Sequence, residues 1–154
     1  MRKILLPIII LIACCAVFAG CGKNTGTGPY KPFLTANIDA GGNFTAATVA
    51  PSTVDTQVND TSTALVITGN SSEVLAFADK IILVVTDYKA AGSVFSIVQG
   101  HAAATYVHGG ITDPAASGVV AITQITSTSI IGYFSFSTVS GVSVTNGSFS
   151  VAKP

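Results

Sequence analysis

The chain has 154 residues, no formal net charge and 9% charged side chains against 49% hydrophobic ones, enough for one domain with its own core. Lys23, Lys31, Lys80, Lys89 and Lys153 are scattered, which excludes a basic patch for nucleic acid. Solubility must rest on Thr, Ser and Asn, a surface poorly suited to long-range charge steering.

The first 21 residues, MRKILLPIIILIACCAVFAGC, read as an export signal ending in a cysteine for lipid attachment. Arg2 and Lys3 supply the positive start, and Ile4 to Phe18 form an apolar run broken only by Pro7. A membrane-crossing helix needs about 20 such residues, and this run is shorter. The chain beyond Gly20 turns polar, with no stop-transfer pattern. Phe18-Ala19-Gly20-Cys21 resembles the bacterial lipobox, with Phe18 where that pattern prefers Leu. Small side chains before the cleavage point let the peptide enter a protease cleft, and the Cys21 thiol can accept a diacylglycerol. The competing readings are a spanning anchor and an ordinary signal that leaves Cys21 as a free thiol. Each buried lipid CH₂ contributes about 0.8 kcal/mol, so several acyl chains hold stably where one holds reversibly. Gly22, by analogy with the enterobacterial sorting rule, favours the outer membrane of a bacterial envelope over the inner one. The periplasmic and outward faces of that membrane are not distinguished.

The expected organisation is a signal peptide over 1–20, a lipidated N-terminus and flexible tether over 21–32, and one β-domain over 33–154. Cleavage removes Cys14 and Cys15, so the folded part has neither a disulfide nor a thiolate metal site. It also leaves five lysines against seven acidic residues.

From Phe33 onward Thr, Val, Ile, Ser and Ala dominate, with turn residues roughly every 8–12 positions, which predicts strands. The expected strands are Phe33–Ile38, Phe44–Ala50 ended by Pro51, Thr63–Thr68, and Ile81–Thr86 buried on both faces. Ser93–Val98, Ala103–His108, Gly118–Ile125, Ser129–Thr138 and Val142–Val151 come after them, with breaks at Gly109-Gly110 and Asp113-Pro114. Ser72–Ala78 is the one candidate for a short helix. The resulting fold class is all-β, an antiparallel β-sandwich of roughly 8–9 strands, with an open barrel as the alternative. In Ile130–Ser137 one face holds Ile130, Gly132, Phe134 and Phe136, the alternation of a half-buried strand. In the last strand Val142 and Val144 have one parity, Phe149 and Val151 the other. A β-bulge near Asn146–Ser148, with Gly147 at positive φ, would bring both pairs to one face.

The segments Gly118–Thr123, Ile131–Phe136 and Val144–Phe149 resemble the G-x-V-x-I-T, I-x-G-x-F-x-F and V-T-N-G-x-F ending of small Bacteroidetes lipoproteins grouped as a domain of unknown function. Phe33–Ala47 and Gly92–Phe95 match that family's order loosely. The family's usual aromatic near Thr45–Ala47 is missing here. The resemblance implies an envelope lipoprotein and brings no catalytic residues.

No G-x-S-x-G elbow, Walker loop, H-E-x-x-H or EF-hand pattern occurs. The nearest constellation is His101 and His108 with Asp87 and Asp113, types that can bind zinc or act as a base. Histidines beside glycines in loops read first as surface or structural groups, and Asp87 or Asp113 as turn residues before calcium donors. Tyr88, Tyr106 and Tyr133 are candidates for ligand contact, because tyrosine offers rigid area with a polar handle. The expectation is a non-catalytic envelope lipoprotein without a cofactor, held to the membrane through Cys21 and binding a glycan, peptide or protein partner. The alternatives are an accessory subunit of an envelope assembly and a metal-dependent enzyme using His101 and His108.

Overall fold

The structure is a computed structural model, which describes residues 31–39, 42–55, 63–72, 78–88 and 90–154. The expected export signal, Cys21, most of the expected tether and residues 73–77 of the candidate helix lie outside the described residues.

Ten strands succeed one another: β1 (Phe33–Ile38), β2 (Gly42–Thr45), β3 (Thr48–Asp55), β4 (Thr63–Asn70), β5 (Lys80–Thr86), β6 (Ser93–Ser96), β7 (Ala102–His108), β8 (Ile111–Ile125), β9 (Ser129–Thr138) and β10 (Ser143–Ala152). The architecture is all-β and antiparallel as expected. It is one strongly curled sheet, a half-barrel in the order β2-β1-β10-β9-β8-β7-β5-β4-β3, with β6 added beside β8. Every pairing is antiparallel, so the chain runs up and down around the half-barrel.

The two ends of that order are consecutive in the chain. Ala46 N donates to Leu34 O of β1 at 2.9 Å, and Ala47 N donates to Asn70 O of β4 at 2.7 Å. The single strand expected over Phe44–Ala50 is therefore two, which changes partner at these alanines. Pro51 does not end the second of them. β3 is the last strand in the order and pairs only with β4, and an edge strand tolerates a missing N–H.

The expected break at Asp113-Pro114 is also absent. Gly109 and Gly110, with φ of 56° and 82°, make the two-residue turn from β7 to β8. β8 then continues through Pro114, pairing with β7 over 111–114 and with β9 from Ala115 onward. Irregularities between Ala115 and Ser117 and between Ile122 and Gln124 bend this long strand around the curve.

Curling puts one face of every strand inside. Ile81, Leu83 and Val85 of β5 are fully buried, while Ile82 and Val84 between them are partly exposed. The expectation of burial on both faces fails because a single curled layer leaves its outer face to solvent. The β9 pattern holds: Ile130, Gly132, Phe134 and Phe136 are buried and Tyr133 points outward. The bulge in β10 is present, with a register shift between Val144 and Gly147. Its positive φ, 50°, belongs to Asn146 and not to Gly147. Gly147 has a different reason to be glycine, since a Cβ there would lie 2.5 Å from the Phe134 ring. Val144, Phe149 and Val151 all reach the core as a result.

Candidate functional site

An up-and-down order sends alternate connections to the same end of the half-barrel. At one end the chain enters β1 at Phe33 and leaves β10 after Ala152, and the β8–β9 turn lies there too. At the other end lie the β1–β2, β4–β5, β7–β8 and β9–β10 connections. Two adjoining clefts open at that second end, which we call the mouth. One, of about 230 Å³, is lined by Ile38, Tyr106, His108, Ile111, Asp113, Ser140 and Val142. The other, of about 330 Å³, shares Ile38, Tyr106 and His108 and extends to Asn43, Phe44, Thr45, Ser71 and Asp79.

Tyr106 and His108 alternate with Val107 on β7 and so face the same way, the tyrosine buried and the histidine at the rim. Their rings stack with centroids 6.0 Å apart, and the Tyr106 hydroxyl lies 3.5 Å from His108 Nδ1. The same nitrogen is 3.0 Å from Asp79 Oδ2, while Gly109 N donates to Asp79 Oδ1 at 3.4 Å. Asp79 is itself positioned by Ser71, whose hydroxyl accepts the Asp79 N–H at 2.9 Å. Burial, and secondarily the negative charge of Asp79, pushes the Tyr106 phenol above its ordinary pKa. The hydroxyl at the floor of the mouth is therefore neutral at any physiological pH.

On the adjoining strand β8, directly across from Tyr106, Asp113 accepts hydrogen bonds from the Ser140 hydroxyl and, at 3.3 Å, from the Ser140 N–H. Bonds from the Ser140 and Thr138 hydroxyls and the Ser140 amide hold this carboxyl below the usual range. Asp113 is thus a fixed carboxylate paired to the β9–β10 turn, and not the turn initiator that Asp-Pro suggests. Ile111, largely exposed, lines the same cleft.

The expected constellation is divided. His101 and His108 stand at opposite ends of β7, seven residues or about 23 Å apart at 3.3 Å per residue. The backbone carbonyl of His101 accepts from Thr86 N and Thr86 Oγ1, and Asp87 is exposed in the turn at that far end. His108 and Asp113 share the mouth, without His101 or Asp87. The three tyrosines are divided as well: Tyr106 is in the mouth, Tyr88 packs on the core beyond β5, and Tyr133 stands on the outer face of β9. Among the described residues, no group of three or more His, Cys, Asp or Glu side chains is placed to hold a metal ion.

Asp79, Ser71, Ser140 and Ile111 are the site residues that local reasoning missed. The one sequence signal for them is the meander itself, because counting strands alternately puts Asp39, Asn43, Ser71, Asp79, Ile111 and Ser140 at one end. No protein-family model, curated protein or solved structure matches this chain.

Proposed function

We propose that this chain is a non-catalytic, lipid-anchored binding protein of the bacterial cell envelope, and that the mouth is its binding site. The observation that carries the reading is the position of the mouth at the end opposite Phe33. An anchor at Cys21, joined through residues 21–32, would reach the half-barrel at its base and leave the mouth turned away from the membrane. A flexible tether of that length spans about 20 Å, enough to clear the lipid headgroups. Clefts at the ends of β-barrels are common ligand sites, and these are of a size for small molecules or a side chain of a larger partner. The likeness to Bacteroidetes lipoproteins and the Gly22 analogy support an outer-membrane address.

Two measurements test the reading. Palmitate should label the wild-type protein and fail to label Cys21→Ser; equal labelling of both would overturn the anchor. A photo-crosslinking residue at Ile111 should capture envelope components that the same residue at Val98 does not. These positions are matched in exposure, 74% and 73%, but Val98 follows Ile97, whose N–H bonds Gly118 O halfway along β8 from Ile111. Equal capture from both would remove the mouth as the binding site.

The accessory-subunit reading needs an open sheet edge for a partner strand. β3 is the available edge, but Pro51 interrupts its row of donors and the strand approaches β1 and β10. That observation favours the mouth over the edge.

A further inference from the structure

No residue from Ala115 to Ala152 is Asp, Glu, Lys or Arg, and neither β1 nor β2 contains one. The outer face made by β1, β10, β9 and the second half of β8 is therefore uncharged. A shallow groove of about 180 Å³ lies on it, with the side chains of Ser117, Ser135, Ser137, Ser143 and Thr145 along its walls. Register explains the groove. Phe136 pairs with Gly118 on one side and Val144 on the other, and the side chains of this row turn into the core. Outside, the row leaves a floor of backbone. Ser117, Ser137 and Ser143 form the next row and make one wall, with Ser135 and Thr145 across the floor from them. Other hydroxyls of these strands are used internally: Thr35 meets Ser148, and Thr123 donates to the Ile131 carbonyl. Among the described residues, no hydrogen bond engages the five hydroxyls of the groove. Tyr133, exposed and of the same parity as Ser135, stands beside them.

Apart from the mouth, and independently of it, we propose that this face docks a neutral polysaccharide. Serine and threonine hydroxyls both donate and accept, so they match the hydroxyls of a sugar without taking a charge out of water. The Tyr133 ring offers rigid apolar area for the C–H face of a sugar ring beside them. An ionic ligand would find no countercharge on these strands. A second copy of the chain would need an apolar centre to bury, and from Tyr133 to Ser143 the face presents hydroxyls instead.

The test titrates the full chain, in a polyoxyethylene detergent that carries no sugar, with cellohexaose, maltohexaose and mannohexaose, and with hexagalacturonate as the charged counterpart. Amide chemical shifts report both affinity and location. At least one neutral hexasaccharide should shift Tyr133, Ser135, Ser137 and Ser143 and bind about ten-fold more tightly than hexagalacturonate. Tyr133→Ala should weaken it about five-fold and Ser135→Glu about ten-fold, with melting temperatures close to that of the wild type. The proposal is overturned if no hexasaccharide shifts the face, if the charged one binds as well, or if both variants keep full affinity. Shifts confined to Tyr106, His108 and Ser140 would refute the face and leave the mouth as the binding site. Shifts of the face that follow protein concentration without sugar would assign it to a second copy and refute the polysaccharide.

Discussion

The base and the mouth of the half-barrel are built from the same strands and differ in what their inward residues do. At the base, Leu34, Phe149, Ile130 and Val151 are fully buried, and the Phe149 ring packs against Phe134. At the mouth, Ile38, Phe44 and Tyr106 are still buried, but they line open clefts and give way to His108, Asp79, Asp113 and Ser140. The contrast amounts to a division of labour within single strands. On β9 the inward face runs from Ile130 at the base through Phe134 and Phe136 to Thr138 at the mouth. Stability should therefore respond to the base, and ligand or pH effects to the mouth.

The largest effect expected is on stability. Phe149→Ala removes a ring packed against Phe134 and should cost about 3–5 kcal/mol, read by denaturant unfolding. Tyr106→Phe at the mouth should cost under about 1.5 kcal/mol, since it deletes one hydroxyl with a single long hydrogen bond. Equal losses would erase the contrast between the two ends. Between them sits Asn146, whose left-handed conformation β-branched residues adopt poorly. Asn146→Val should cost about 1–2 kcal/mol, and Asn146→Gly should cost almost nothing.

Two smaller effects of pH belong to the mouth alone. The Asp113 carboxyl has its pKa lowered in the folded protein, so its stabilising bonds with Ser140 and Thr138 are fully present above the ordinary value of about 3.9. They are lost as pH falls through the lower folded value. The melting temperatures of wild type and Asp113→Asn should therefore differ at pH 5 and converge as acid is added. Tyr106 behaves in the opposite sense. Its raised pKa means that the unfolded chain gives up the phenolic proton first, so stability falls as pH rises past about 10. Ultraviolet titration should place Tyr106 ionisation above that value. Asp79→Asn should lower it only partway, because burial is the larger cause.

Much of the fold was legible because β1 and β9 alternate, and the bulge in β10 came from a parity conflict between Val144 and Phe149; β5, apolar on both faces, hid which face turns outward. Pro51 and Asp113-Pro114 misled because their meaning depends on tertiary position. A proline breaks a central strand and is tolerated at an edge or a change of partner. The site was legible only in part. His108, Tyr106 and Asp113 could be singled out by chemical type, but their grouping with His101, Asp87, Tyr88 and Tyr133 could not survive the geometry. The decisive contacts, Gly109 with Asp79 and Ser140 with Asp113, join residues 30 and 27 positions apart. Sheet order, not local pattern, creates such pairs.

The pairing of Phe33 with Ser150 makes the two ends of the domain neighbours on adjacent strands. A short linker from Lys153 to Pro32 could then close the chain into a ring, which could be reopened between Gly109 and Gly110 without cutting a strand. Such a circular permutant should keep the same half-barrel while its new first residue emerges at the mouth. Under the lipid anchor proposed above, the same N-terminal segment fused there would turn the clefts toward the membrane. Which end of the half-barrel the N-terminal segment enters is thus a property of where the chain is opened, separable from the fold itself.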